Sequence, residues 1–83
     1  MITEEELIQI EQRANLAQSG PWKAYIEGRH HESGSDFIMT GTESNRGEDI
    51  EMTGATNYDF DFIANARQDI PRLIKEIREL IRR

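Results

Sequence analysis

Cysteine is absent from this 83-residue sequence, which rules out a disulfide framework and leaves no thiolate to act as nucleophile or metal ligand. Without such staples a reducing, cytoplasmic setting is expected, the host cytoplasm if the chain is phage-encoded. Long apolar runs are also missing, so the roughly twenty residues of a membrane span are nowhere available. The first residues carry Glu4, Glu5 and Glu6 where an export signal needs a basic segment followed by an apolar one. Net positive charge is lacking too: 10 basic residues face 16 acidic ones, for a net charge of -6. A surface of that sign does not neutralise phosphates, so binding to a nucleic acid polymer is not expected. The glycine spacings of a Walker loop or a dinucleotide fingerprint do not occur, nor does Gly-x-Ser-x-Gly. No catalytic residue, cofactor or metal site is therefore assigned, and the chain reads as a non-enzyme.

What is present reads as one domain over residues 1–83. Thr3 to Gln18 has helical spacing, with Leu7, Ile10, Ala14 and Ala17 on one side. Thr3 followed by Glu6 fits a capping box, and the three glutamates suit the positive end of the helix dipole. Ser19-Gly20-Pro21 should end this helix, with glycine in a left-handed cap. Trp22 to Glu27 reads as a first strand with Trp22, Ala24 and Ile26 on one face, and Gly28 to Gly34 as a polar turn. Asp36 to Thr40 and Asp49 to Thr53 read as two further strands flanking a Gly41 to Glu48 loop. Asn57 is expected to cap a short helix through Arg67. Asp69 then restarts the chain into a final helix from Ile70 to Ile81, with Pro71 in its first turn. That helix carries Ile70, Leu73, Ile74, Ile77, Leu80 and Ile81 and should be the main lid of the core. The expected fold is α+β, in the order α-β-β-β-α-α, with a short antiparallel three-stranded sheet packed against N- and C-terminal helices.

Charge is unevenly spread, with 13 acids and 4 bases in residues 1–66 but 3 acids and 6 bases in residues 67–83. The basic C-terminal end can dock on an acidic surface. A chain of this size buries only roughly 60 to 65 per cent of its unfolded surface, and the apolar stripe of the last helix adds to the expectation of a homo-oligomer.

Gly20-Pro21-Trp22 after a first helix, together with Asp61-Phe62-Ile63-Ala64-Asn65-Ala66-Arg67-Gln68-Asp69-Ile70-Pro71-Arg72-Leu73-Ile74, resembles the small Ead-like early phage and prophage proteins. The likeness covers about a third of the chain, at its two ends. It implies a phage or prophage origin and carries no established activity. Physically, the same residues make sense as architecture: a helix stop with a buried indole, then a helix-turn-helix corner fixed by Ala66, Asp69 and Pro71. Function is then expected in the middle of the chain, where loops sit on a rigid scaffold.

His30-His31, with Glu32 and Asp36 nearby, offers imidazole and carboxylate, but adjacent histidines in a strand point to opposite faces and no His-x-x-x-His pair exists. A solvated turn explains them, and no metal is assigned. Thr53-Gly54-Ala55-Thr56-Asn57 precedes a helix N-terminus, where free amides and hydroxyls can hold an anion. Arg29 and Arg46 can add charge, and Trp22 or Tyr25 can stack a base. The expected ligand-binding set is accordingly Trp22, Tyr25, Arg29, Arg46, Thr53 and Asn57. The leading expectation is a phage-type binding protein that sequesters a small ligand, of the kind of a nucleotide second messenger in antiviral defence. The rival expectation is a protein-protein interaction module that modulates a host protein through acidic helix one or the open edge of the sheet.

Overall fold

The computed structural model describes residues 1–30 and 34–82. Its elements are α1 (Glu4–Leu16), β1 (Trp22–Tyr25), β2 (Phe37–Thr42), β3 (Asn45–Arg46) and α2 (Asn57–Ile81). The sheet is an antiparallel meander in the order β1-β2-β3, as expected for an α+β chain of this pattern. Trp22 pairs with Thr40 and Tyr25 with Phe37, which turns Ala24, Ile26 and Ile38 toward α2. Phe60 and Ala64 of α2 complete that core, and each large apolar side chain buried there contributes about 1.5–3 kcal/mol.

α1 begins as its sequence dictates. Thr3 Oγ1 accepts the Glu6 amide at 3.1 Å and the Glu6 carboxylate accepts the Thr3 amide at 3.0 Å, the reciprocal pair of a capping box. Its end differs from expectation. Ala17 leaves the helix in an extended conformation, and Gly20 is not in the left-handed region. No glycine cap is needed because the next carbonyl, that of Gln18, accepts Trp22 Nε1 at 3.1 Å and Arg67 Nε at 2.9 Å.

The two helices expected after residue 57 are one. α2 runs through Pro71 without a break, so the corner of Ala66, Asp69 and Pro71 does not form. An interior proline removes one hydrogen bond and costs about 3 kcal/mol. Packing on both sides of it outweighs that cost: Phe60 and Ala64 are buried before it and Ile74 after it. The cap is Thr56 rather than Asn57, since Thr56 Oγ1 accepts the Asp59 amide and Asp59 Oδ2 accepts the Thr56 amide. The third strand also lies elsewhere. Gly41 and Thr42 belong to β2, a tight hairpin pairs Thr42 with Asn45, and residues 49–53 contribute only the bridge of Ile50 to Ile38. Gly41 at φ +78 permits this turn, where any Cβ would collide with the Asn45 carbonyl.

α1 lies antiparallel to α2. Arg78 Nη1 bonds Glu11 at 2.7 Å and Arg78 Nε approaches Glu4 at 3.6 Å, while Arg67 reaches Gln18 at the opposite end. The molecule is elongated, 49 × 27 × 19 Å, because only the first half of α2 covers the sheet. The expected lid function of residues 70–81 is correspondingly reduced. Ile74 alone among the stripe's six residues is buried, whereas Leu73, Leu80 and Ile81 stay more than half exposed.

Candidate functional site

α2 carries Ile63, Ala66, Ile70, Leu73, Ile77 and Leu80 at spacings of three and four, and α1 carries Leu7, Ile10, Ala14 and Ala17 likewise. Such spacing turns the α1 set together with Ile63, Ala66 and Ile70 of α2 toward a common seam, while Leu73 and Leu80 stay more than half exposed. Near the sheet this seam opens into a groove of 370 Å³ whose walls are Ile10, Ala14 and Ala17 on one side and Ile63, Ala66 and Ile70 on the other. Trp22 and Phe62 add aromatic surface, and Arg13 and Arg67 complete a lining that is almost wholly apolar. Phe62 is 75% exposed, an unusual state for a phenyl ring beside other apolar groups.

The groove's framework is rigidly tied. Trp22 is held by its indole on the Gln18 carbonyl, and the Gln68 amide group brackets its backbone, accepting its N–H at 2.8 Å and donating to its carbonyl at 3.1 Å. Gln18 Oε1 accepts the Glu48 amide at 3.0 Å. Fully buried Thr40 donates its hydroxyl to the Glu48 carbonyl at 2.8 Å, with Gln18 Oε1 as second acceptor at 3.2 Å. The α1–β1 connection is thereby anchored to both the sheet and α2.

Cations separate into two groups. Arg29 pairs with Asp61 at 2.9 Å, Arg46 with Asp49 at 2.8 Å, Arg78 with Glu11 and Glu4, and Arg82 with Glu79 at 3.9 Å. The hydrogen bond to Asp49 raises the Arg46 guanidinium above its ordinary pKa, and that to Glu11 does the same for Arg78. Among the described residues, Arg13, Arg67 and Arg72 make no carboxylate pair within 4.0 Å. Two of those three converge on the groove. An apolar trough with aromatic surface and two uncompensated guanidinium groups suits an anion with a flat or apolar body.

Comparison with protein-family models, curated proteins and solved structures finds no match for this chain. The geometry therefore carries the functional argument by itself.

Of the six residues singled out in the sequence, Trp22 alone lines this groove. Tyr25 sits on the opposite face of the sheet, stacked on Phe37 with ring centroids 5.2 Å apart, near His30 and with Lys23 Nζ 5.1 Å from its ring. Arg46 lines a separate 290 Å³ depression with Gln18, Thr40 and Gly47. Arg29 and Asn57 lie at the first two turns of α2, Arg29 through its pair with Asp61. Thr53 is exposed in the bend ahead of that helix, and Asp59 already supplies a carboxylate to the helix N-terminus. His30 Nδ1 accepts the Ile26 amide at 3.0 Å, so this imidazole serves the turn. His31 and Glu32 lie outside the described residues. No group of three or more metal-ligating side chains occurs among the described residues.

Sequence reasoning missed Arg13, Arg67 and Phe62. A signal for the two arginines was present: no acidic residue stands three or four positions from either, so neither has a local helical partner. Phe62 gave none, because its neighbours Phe60, Ile63 and Ala64 already account for a buried face.

Proposed function

We propose that this protein is a non-catalytic binding protein and that the α1–α2 groove beside the sheet takes a small anionic ligand with an aromatic or apolar body. The observation that supports the reading is the convergence of Arg13 and Arg67, both without carboxylate partners, on a trough that also holds Trp22 and Phe62. Most other guanidinium groups of this acidic chain are already neutralised. Among the described residues the lining has no carboxylate, imidazole or hydroxyl, so proton transfer and nucleophilic attack have no agent there.

A nucleotide has the required chemistry, with a base to lie on the aromatic rings and phosphates for the arginines. Sequestration of such a messenger in the host cytoplasm is the biological form that the phage resemblance suggests. The groove's volume lies at the lower end of small-molecule sites, about 300–1,000 Å³. The test is native mass spectrometry and equilibrium dialysis against a panel of nucleotides and nucleotide messengers. A discrete adduct is expected, and Arg13→Ala combined with Phe62→Ala should weaken it about tenfold or more with an unchanged melting temperature. An adduct indifferent to both substitutions would remove the groove from consideration.

A second reading, the interaction module that modulates a host protein, is favoured by the exposed apolar side chains Leu73, Leu80 and Ile81, since patches of this kind mark protein contacts.

A further inference from the structure

The two faces of the sheet are covered unequally. Trp22, Ala24, Ile38 and Thr40 turn toward α2, so the residues between them, Lys23, Tyr25, Phe37 and Met39, share the opposite face. α2 packs on the first face and α1 on no strand. The open face of an antiparallel sheet is ordinarily polar, yet Tyr25, Phe37 and Met39 lie half-buried side by side on this one. Tyr25 is nearly parallel to Phe37, with ring centroids 5.2 Å apart, and His30 leans on it at 5.5 Å and 58°. A cation already sits there: Lys23 Nζ lies 5.1 Å from the Tyr25 ring centroid.

We infer that this aromatic face docks an arginine-bearing basic segment of another protein. The inference stands apart from the α1–α2 groove, which Trp22 joins from the other face of the sheet. Charge selects the occupant. Ile50 is bridged to Ile38 and packs on the core, so Asp49 and Glu51 on either side of it turn to the open face. Glu27 follows buried Ile26, and its amide bonds Asp36 Oδ1 at 2.8 Å, which sets two carboxylates beside the Tyr25 and Phe37 pair. Glu43 stands in the β2–β3 hairpin. Against these five carboxylates the face has two cations, Lys23 and Arg46, and Arg46 is held by Asp49. Among the described residues Glu27, Asp36, Glu43 and Glu51 have no cation within 4.0 Å.

Arginine fits this surface better than other cations. Its guanidinium is planar and weakly hydrated, stacks on aromatic faces and forks a carboxylate with paired N–H donors, and rings and carboxylates adjoin here. Lys23 marks the seat but is exposed, so its ammonium can withdraw into water as a flat guanidinium takes the ring. A small polyamine needs an enclosing cavity to bury its surface, which an open sheet face does not offer. An extended segment instead sets alternate side chains on one side and reaches the Tyr25 end and the hairpin together. A nucleic acid strand could also use the rings, but the carboxylates repel its phosphates.

Fluorescence anisotropy of a labelled Arg-Gly-Arg-Gly-Arg-Gly peptide should report a Kd on the order of tens to hundreds of micromolar at low salt. Tyr25→Leu keeps apolar bulk and removes the ring's negative face, and should weaken binding about threefold or more with unchanged circular dichroism. Glu43→Gln combined with Glu51→Gln should weaken it about threefold as well. Glu5→Gln combined with Glu76→Gln, which removes two carboxylates remote from the sheet, should leave it unchanged. The Lys-Gly counterpart of the peptide should bind about threefold more weakly. Amide shifts on adding the arginine peptide should fall in residues 23–27 and 36–43 and spare residues 4–16. No binding up to about 1 mM overturns the inference. So does affinity indifferent to Tyr25→Leu, an equal loss from the remote pair, equal competition by spermine, or tighter binding of a single-stranded oligonucleotide. Arg13→Ala should leave peptide binding intact, so failure of the groove and failure of the sheet face are read separately.

Discussion

The two halves of α2 obey one hydrophobic rhythm and reach opposite fates. In residues 57–69, Phe60 and Ala64 are buried against Ala24, Ile26 and Ile38, and side-chain amides from Gln18 and Gln68 fasten the sheet to the helices. In residues 70–81 only Ile74 is buried, and Leu73, Leu80 and Ile81 face outward. The sheet is as wide as three short strands allow and covers one half only. Periodicity thus tells where a helix is apolar, while the reach of the opposing layer decides which of those positions become core.

The largest expected effect tests that asymmetry directly. Phe60→Ala should cost about 3–5 kcal/mol and Leu7→Ala, in the helix pair, about 2–3 kcal/mol, measured by urea unfolding. A Leu7 effect equal to that of Phe60 would mean that both halves are packed alike. Next, Thr40→Val should cost about 1 kcal/mol, because the hydrogen bond from the buried Thr40 hydroxyl to the Glu48 carbonyl is lost. This sharpens the contrast by placing the polar fastening on the sheet side. Thr56→Ala and Thr3→Ala should each cost about 1 kcal/mol, and a much smaller loss at Thr3 would show α1 fraying independently of the sheet. Smallest of all, Phe62→Ser and Leu80→Ser should change stability by less than about 0.5 kcal/mol, since both side chains are mostly in water before the change.

Much of the fold could be read along the chain where the deciding forces are local. The capping box of Thr3 and Glu6 and the alternation of Trp22, Ala24 and Ile26 depend on neighbours within a few residues. Pro71 misled because its local rule is to start a helix, whereas contacts made by Phe60 and Ile74, far apart along the helix, carried α2 through it. The third strand shifted to Asn45–Arg46 because Gly41 admitted a tight hairpin sooner than the Asp49–Thr53 alternation suggested. The groove was hardest to foresee. Arg13 and Arg67 are 54 positions apart in the sequence, and only the antiparallel pairing of α1 and α2 makes them neighbours of one trough. Trp22 was legible as an aromatic at a special position, though not the surface it would serve.

Gln68 has a consequence beyond the groove. By accepting from the Trp22 N–H and donating to its carbonyl, its amide occupies the place that an added strand would take beside β1. A single side chain thus covers the Trp22 end of the edge on which strand addition begins. Shortening that side chain would leave the Trp22 end of β1 open to pairing with extended segments of other chains.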